Sequence, residues 1–404
     1  MEPRAWRALT ALGLAAAVVA AVGLTYLRPW QGLAPTRATP QRAAPVAKVS
    51  VQQMQFLSPT LGWVVTGDAS ASKLFHTTDG GRRWQRQLDG VAGQGWALRF
   101  FDARRGVVYA ADRQGPALWR TADGGQRWTR AIVPKPTAPS LIFFADPSHG
   151  WWLAPLADLP PFTGPIADRQ DVVLFRTTDG GANWSQVLRT DLPPASHGLE
   201  ADGLKTWIWF RDLNTGWIGQ ATPGDHAVVY STMDGGDDWI RQELPPPAAG
   251  WGSPLGVFLE SPPTPIGTWS DVLVAAPISQ GPYQGTYVLQ SAYVYARQAA
   301  SWAVPTPLPR ADFAFSVVAS TEGRRWWASS GSTVLESDDS GDHWQALGEG
   351  PNRRLFARFD VVDPGHAWAL LLDARACGPG LPCPFSLART ADGGRDWTLV
   401  STPA

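Results

Sequence analysis

The side chains of this 404-residue sequence that can carry chemistry are mainly carboxylates and arginines in long segments rich in proline and glycine. Two carboxylates facing one cleft can hydrolyse glycosidic bonds, as can a tyrosine nucleophile with a glutamate partner. Arginines can grip the carboxylate of a ligand with two parallel hydrogen bonds. The sequence assigns none of these side chains to a common site, so it predicts no catalytic residue. The candidate binding residues are Asp158, Asp168, Arg169, Glu200, Tyr283, Arg353 and Arg354.

Metal ions and cofactors are not expected. The six histidines are scattered, without a pair at helical i, i+4 spacing. The sequence has no glycine-rich phosphate loop and no Gly-x-Ser-x-Gly nucleophile turn. With a formal net charge of −1, it also has no electrostatic signature of nucleic-acid binding.

The only two cysteines, Cys377 and Cys383, lie in the segment "ACGPGLPC". A disulfide that closes a small loop outside the cytoplasm is the favoured interpretation. Free thiols are one alternative, and a zinc site that recruits distant histidines is another.

Residues 9–27 carry no charge and, as a helix, would span about 28 Å, close to the hydrocarbon thickness of a bilayer. The favoured interpretation is a transmembrane anchor, after a short cytoplasmic N-terminus (1–8) and before a linker (28–48) rich in Pro, Ala and Arg. A cleaved signal peptide, which usually has a shorter apolar run, and a buried core helix are the alternatives. An anchor or a signal would place the rest of the chain outside the cytoplasm, tethered to the cell membrane or secreted.

The pattern Ser/Thr-x-Asp-x-Gly-x-x-Trp occurs six times. Consecutive tryptophans of the pattern are roughly 44 to 56 residues apart, but the interval between Trp239 and Trp344 is about double. Inside that interval, "YVYARQAASW" ends at Trp302 and lacks the Asp and the Gly. The six pairs are Asp79 and Trp84, Asp123 and Trp128, Asp179 and Trp184, Asp234 and Trp239, Asp339 and Trp344, and Asp392 and Trp397.

A second motif gives an independent count of the units. An apolar stretch with a phenylalanine, a short turn and a second apolar stretch occur together seven times, as in "QFLSPTLGW" and "WFRDLNTGW". Four short strands per unit, at a period of about 40 to 55 residues, are typical of a β-propeller. The sequence therefore predicts an all-β, seven-bladed propeller over residues 49–404, preceded by one transmembrane helix, with a degenerate fifth unit between Trp239 and Trp344.

The six aspartates fall in the turn between the third and fourth strands of each unit, C and D. There the glycine can adopt a positive φ, and the carboxylate and the Thr/Ser hydroxyl can accept backbone N–H groups. The tryptophan would cover this network from water. A structural role is the favoured interpretation, with a metal or substrate ligand as the alternative. The longer B–C and D–A connections lie at the other end of each unit, where variable loops on a rigid frame usually carry function.

The repeated pattern resembles the Asp-box (BNR) repeat over nearly all of residues 50–404. With its F…GW first-strand signature, the chain looks most like the photosystem II stability/assembly-factor propellers, and more distantly like sialidases. The first resemblance implies a non-catalytic propeller that binds a protein partner in a membrane complex, and the predicted anchor would tether it to the membrane. In that family a basic patch binds the partner, and the doublets Arg82-Arg83, Arg104-Arg105, Arg324-Arg325 and Arg353-Arg354 are candidates for it, or else solvated turn residues.

The second resemblance implies a glycoside hydrolase, with a glycan as the ligand. The Arg-Ile-Pro motif of sialidases does not occur in this sequence. The binding propeller is therefore the favoured function, and the hydrolase is the alternative.

Overall fold

The structure of the protein is a computed structural model that describes most of residues 50–403. Apart from one short 3-10 helix, Pro351–Arg353, the regular elements of the described part are all β-strands. No described helix is both long and apolar enough to cross a bilayer, and the predicted anchor at residues 9–27 lies outside the described part. Within 50–403 the segments not described are 68–70, 92–96, 113–114, 135–140, 158–168, 193–196, 252–255, 267–269, 281–286, 290–292, 299–300, 309–317, 323–324, 340–342 and 374–383.

The described strands form six sheets, numbered here in chain order, and five of them contain four antiparallel strands in consecutive order. This is the blade arrangement of a β-propeller and confirms the predicted all-β propeller. Sheet 1 contains β1 (Ser50–Phe56), β2 (Gly62–Gly67), β3 (Ala71–Thr77) and β4 (Gln85–Val91). Sheet 2 contains β5 (Ala97–Phe100), β6 (Gly106–Asp112), β7 (Gly115–Thr121) and β8 (Thr129–Ile132). Sheet 3 contains β9 (Leu141–Phe144), β10 (Gly150–Pro155), β11 (Val172–Thr177) and β12 (Ser185–Arg189).

The prediction of seven blades is wrong, because the strands expected in blades four and five share one ten-stranded sheet, sheet 4. The strand β14 extends to Pro223, and its last three residues pair with the start of β17. This backbone pairing joins the two sets of strands. Sheet 4 contains β13 (Leu204–Phe210), β14 (Gly216–Pro223), β15 (Ala227–Thr232), β16 (Ile240–Leu244), β17 (Gly256–Ile266), β18 (Ser270–Gln280), β19 (Tyr287–Leu289), β20 (Tyr293–Gln298), β21 (Ser301–Trp302) and β22 (Thr306–Pro307).

The last two sheets return to the four-stranded form. Sheet 5 contains β23 (Val318–Glu322), β24 (Arg325–Ser330), β25 (Thr333–Ser337) and β26 (Gln345–Glu349). Sheet 6 contains β27 (Leu355–Val361), β28 (Ala367–Leu372), β29 (Phe385–Thr390) and β30 (Thr398–Val400). At most junctions the first strands of neighbouring units contact one another, as β1 does with β5, β9 with β13, and β23 with β27, so these strands lie innermost, around the propeller axis.

A phenylalanine and a glycine face each other across the first hairpin of four units. The pairs are Phe56 and Gly62, Phe100 and Gly106, Phe144 and Gly150, and Phe210 and Gly216. A Cβ atom on these glycines would lie only 2.1–2.6 Å from the nearest ring atom, so the aromatic ring occupies the space of the missing side chain. This contact accounts for the regular spacing of Phe and Gly in the sequence.

Tryptophans stack on these phenylalanines between sheets. The ring centroids of Trp63 and Phe100 are 3.6 Å apart, as are those of Trp151 and Phe210. Trp368 of sheet 6 stacks on Phe56 of sheet 1 at 3.7 Å. Large, flat side chains thus fill the core between blades, where each one buries a large apolar area.

Side chains and the backbone close the ring between the first and last sheets. The backbone N–H of Phe56 donates to Asp360, and that of Phe385 donates to the Ser50 hydroxyl at 2.9 Å. The indole N–H of Trp84 donates to the carbonyl of Ser401 at 3.0 Å. Since sheets 1 and 6 are each built from consecutive strands, no strand is exchanged across this junction.

Candidate functional site

The C–D turns that contain the repeated aspartates form a recurring hydrogen-bond network. In five of them the threonine hydroxyl accepts the N–H of the glycine four residues later, at 2.8–3.0 Å, and donates to the aspartate. Each of the six carboxylates accepts the backbone N–H four residues further on, at 2.8–3.1 Å. These five glycines have φ between +81° and +96°, which a residue with a Cβ rarely adopts.

These hydrogen bonds also set the charge state of the turn aspartates. The backbone N–H and side-chain amide of Asn183 are the main reasons why the pKa of Asp179 falls to about 2. In Asp339 the N–H and the imidazole of His343 lower the pKa further. The aspartates are therefore ionised at neutral pH and engaged within their own turns, an arrangement that supports a structural role.

The tryptophans of the motif pack beside these turns in two ways. The indole N–H groups of Trp239 and Trp397 donate to carbonyls of their own turns at 3.0 Å. The other four are partly buried and pack against the apolar clusters of the core; they are Trp84, Trp128, Trp184 and Trp344.

The A–B turns lie next to the C–D turns and bind to them through the backbone. In five units the first glycine of the C–D turn donates its N–H to an A–B carbonyl at 2.7–3.0 Å, as Gly180 does to Ser148. Aspartates at the A–B turns are used in the same way, since Asp146 accepts the N–H groups of Ser148 and His149. At this end of the propeller the A–B and C–D turns are joined by a network of internal hydrogen bonds. The aspartates of these turns therefore have little capacity left to bind a ligand.

The opposite end of sheets 3 and 4 brings together side chains from two long connections. Arg169, from the B–C connection of sheet 3, makes a backbone bridge to Asp202 and a two-point ion pair with Asp171, at 2.6 and 3.0 Å. Glu200 belongs to the connection between sheets 3 and 4, and its carboxylate lies 3.6 Å from Arg241. We call Arg169, Asp171, Glu200, Asp202 and Arg241 the rim cluster.

Asp202 is the centre of the rim cluster. The Tyr230 hydroxyl and the Lys205 ammonium both donate to it. The Gln220 amide lies 3.2 Å and Arg241 Nε 3.4 Å from its second carboxylate oxygen. Lys205 also donates to Gln220 Oε1 at 2.7 Å. Asp202 is thus held on sheet 4 by side chains from four of its strands, β13 to β16.

The electrostatics of the rim cluster keep its central carboxylate, Asp202, ionised. Burial raises the pKa of Asp202, but the Lys205 charge and the Tyr230 hydroxyl outweigh it, so the pKa lies below its usual range. Asp202 is therefore ionised and cannot act as a general acid at neutral pH. Burial also lowers the pKa of Lys205 to about 8 and, with Asp202, raises that of Tyr230. Tyr230 is fully buried, so a sugar cannot reach its oxygen.

The remaining predicted binding residues are not part of this cluster. Arg354 pairs with Asp373 at 3.1 Å, beside sheet 6. Arg353 is exposed in the 3-10 helix with a φ of +57°. Asp158, Asp168, Tyr283, Cys377 and Cys383 lie outside the described residues, so their predicted roles remain predictions. No described group of three or more His, Cys, Asp or Glu side chains is arranged to hold a metal ion.

A second polar group, which sequence reasoning missed, lies on the innermost strands. In five units the second-to-last residue of the first strand pairs with the second residue of the next strand. These five positions form a layer around the axis, here called the inner layer: Gln55, Arg99, Phe143, Trp209 and Asp360. Sheets 6, 1 and 2 give it a polar half, and sheets 3 and 4 give it an aromatic half. A charged residue inside an apolar strand, as in "LRFF" and "ARFDV", is the signal that could have found it.

Comparisons with known proteins support the fold. No family model and no curated protein matches the sequence. The structure is similar to that of YCF48 bound to a D1 peptide, with 17% identity and a TM-score of 0.54, over 85% of this chain and 92% of that one. It is similar to an ancestral GH74 enzyme, with 14% identity and a TM-score of 0.51, over 90% of this chain and 48% of that one. A prolyl endopeptidase matches at 11% identity and a TM-score of 0.51, over 95% of this chain and 51% of that one. At these identities the similarity shows the propeller fold alone.

Proposed function

We propose that this chain is a non-catalytic propeller that binds a protein partner through the rim cluster on sheets 3 and 4. The observation that carries the proposal is that two separate connections meet beside Asp202: Arg169 reaches it through a backbone bridge, and Glu200 shares Arg241 with it. The side chains of Arg169 and Glu200 are 65% and 59% exposed, whereas Lys205 and Tyr230 beneath them are buried. Exposed charges of both signs on a fixed backbone suit the recognition of a polar peptide, because little ordering is needed on binding.

The likeness to YCF48 supports a peptide as the partner, since that protein was solved with a D1 peptide. The GH74 likeness keeps a glycoside hydrolase as the alternative. Among the described carboxylates, Asp360 has a pKa raised to about 6, mainly by burial, which resembles that of a catalytic acid. Its charged neighbours are Arg358 and Arg99 instead of a second carboxylate, and its side chain is buried. The binding function is therefore the better supported of the two.

Binding of the D1 peptide and of an arrayed peptide library to the purified full-length chain tests this proposal. The charge reversals Arg169→Glu and Glu200→Lys should each lower the affinity for a bound peptide at least tenfold. Arg353→Glu is the matched control, since it reverses an exposed charge beside sheet 6, and it should leave binding unchanged. Equal binding by all three variants would exclude the rim cluster as the site.

A glycoside panel tests the alternative function on the same preparation. We expect no sugar release. Turnover that is abolished by Asp360→Asn or Glu200→Gln would establish the hydrolase and overturn the binding function.

We further propose that residues 9–27 tether the propeller to a membrane from outside the cytoplasm. The uncharged run supports the tether, and the cysteines support the compartment, because disulfides persist in oxidising environments. Thiol labelling of intact cells should leave Cys377 and Cys383 unmodified until a reductant is added. Ready alkylation by a reagent confined to the cytoplasm would contradict both the bond and the location.

A further inference from the structure

Arg358 lies beside the inner layer, and together with Arg99 and Asp360 it forms a group of described residues with more positive than negative charge. Arg358 lies two residues before Asp360 on β27, and its Nη1 donates a hydrogen bond to Gln53 Oε1 at 2.5 Å. Asp360 interacts electrostatically with both Arg358 and Arg99. Burial lowers the pKa of each arginine only to about 10, so both remain cationic at neutral pH. Two arginines and one aspartate leave one positive charge without a counter-charge in this group.

Several of these arginine donors also lack an acceptor. Nε of Arg358, and Nε and Nη1 of Arg99, are buried without a hydrogen-bond partner among the described residues. Arg358 is only 6% exposed. A buried N–H group without a partner is costly, and a buried charge more so, which makes such groups rare unless something binds them.

The other polar groups of the inner layer, Asp360 and Gln55, already have hydrogen-bond partners within the protein. The Asp360 carboxylate accepts the backbone N–H of Phe56, and Gln55 exchanges two hydrogen bonds with the backbone of Phe100 at 2.7 and 2.9 Å. The Arg99 guanidinium lies over the ring of Phe143, 5.4 Å from its centroid. An aromatic face offsets part of the cationic charge but accepts no conventional N–H hydrogen bond in the guanidinium plane. Among the described residues, no acceptor therefore faces Nε of Arg358 or Nε and Nη1 of Arg99.

We propose that a small monovalent anion binds in the inner layer, against the guanidinium groups of Arg99 and Arg358 and beside Asp360. Its single charge would balance the excess positive charge, whereas a divalent anion would reverse it. It would also accept the unpaired N–H groups. Because Arg358 and Asp360 are both nearly inaccessible, a ligand that reaches them must be small. The proposal is independent of the rim cluster and its partner.

Bromide soaking tests the position of this site. Crystals of the full-length chain, grown without halide and soaked in sodium bromide, should show an anomalous peak in contact with Arg99 and Arg358. Bromide found solely at exposed arginines would indicate an adventitious ion only, and would overturn the proposal, as would the absence of a peak.

Thermal unfolding tests the same site in solution. At constant ionic strength, replacing gluconate by chloride should raise the melting temperature progressively, because a ligand that binds only the folded state stabilises it. Arg99→Gln should abolish this dependence, whereas the matched control Arg353→Gln should keep it. If Arg99→Gln does not fold, Asp360→Asn provides the test. Because this variant has one more uncompensated positive charge, its melting temperature should rise at a chloride concentration at least tenfold lower than in the unmodified chain. A melting temperature that is unaffected by chloride in the unmodified chain would exclude the site.

Discussion

The strands β17–β22, in the unit without the repeated aspartate motif, differ from the strands of the units that contain it. This segment corresponds to the one predicted unit without the Asp and Gly, and its strands do not form a separate sheet. Two of them, β17 and β18, are 11 residues long, whereas the strands of the four-stranded sheets have three to seven residues. The long strands β17 and β18 form the first hairpin of this unit, and the start of β17 pairs with the end of β14 in the preceding unit.

The motif also joins one blade to the next. In sheets 2, 3 and 6, an arginine on the third strand donates to a backbone carbonyl of the C–D turn in the following sheet, as Arg120 does to Asp179 at 3.0 Å. In the unit before β17 this position is Ser231, and the sequence of the next unit lacks the Asp and the Gly of the motif. The same eight residues therefore close a hairpin and provide an acceptor for the neighbouring blade.

The largest effect is expected at the phenylalanine and glycine pairs of the regular units. In Gly216→Ala the added Cβ would lie 2.4 Å from the ring of Phe210, which is itself stacked on Trp151. Overpacking of this kind should lower the free energy of unfolding by about 3 kcal/mol, measured by urea denaturation. Gly365→Ala is the control, because its nearest neighbour would be 3.5 Å away. Equal stability of the two variants would contradict the packing argument.

A smaller effect is expected inside the C–D turns. Thr177→Val keeps the shape of a buried side chain but removes the acceptor of the Gly181 N–H, at 2.9 Å. The unfolding free energy should fall by about 2 kcal/mol, the cost of a buried N–H without a partner. Thr178→Val, at the exposed neighbouring position, should change it little. If Thr177→Val is as stable as this control, the hydroxyl does not hold the turn.

The joint between blades should contribute less. Arg389→Met removes the hydrogen bond from sheet 6 to the carbonyl of Gly80 in sheet 1, at 3.0 Å, and keeps most of the apolar stem. A partly buried hydrogen bond of this type contributes about 1 kcal/mol to the unfolding free energy. Arg82→Met, which removes an exposed arginine from the turn of sheet 1, serves as the comparison. A loss of stability in Arg82→Met as large as in Arg389→Met would assign the effect to charge instead of the joint.

The smallest effect is expected from acid. The folded pKa of Asp179 is lowered to about 2, and an unfolded aspartate titrates near about 3.9. The stabilisation by this carboxylate is therefore complete above pH about 4 and is lost as the pH falls towards about 2. Stability of the native chain and of Asp179→Asn, followed from pH 5 to pH 2, should converge at the acidic end. A constant difference across this range would show that the ionised form is not what the turn stabilises.

The sequence was sufficient to predict the parts of the fold that local chemistry determines. The glycine spacing predicted tight hairpins, and the repeat period predicted a propeller. The number of sheets was not predictable in this way, because the pairing of Ala221 with Phe258 depends on backbone hydrogen bonds that no motif marks. The repeated units could be counted from the sequence, but whether two units share a sheet could not.

The candidate sites were predicted only in part, for a related reason. Arg169 and Glu200 were identified because they lie in irregular connections. Lys205 and Tyr230, which hold Asp202 in place, are strand residues among apolar neighbours and gave no loop signal. The arginine doublets drew attention to the turns, whereas Arg99 and Arg358 stand singly on inner strands and meet only after the ring closes.

The closure between sheets 1 and 6 has a mechanical consequence. Tension applied to the two ends of the propeller would load this junction, which is held by an apolar cluster around Phe56 and Trp368 and by a few hydrogen bonds. Each sheet, in contrast, is held by ladders of backbone bonds along its strands. Under tension, sheets 1 and 6 should therefore separate first, while every sheet is still folded. The sheets should then unfold one after another.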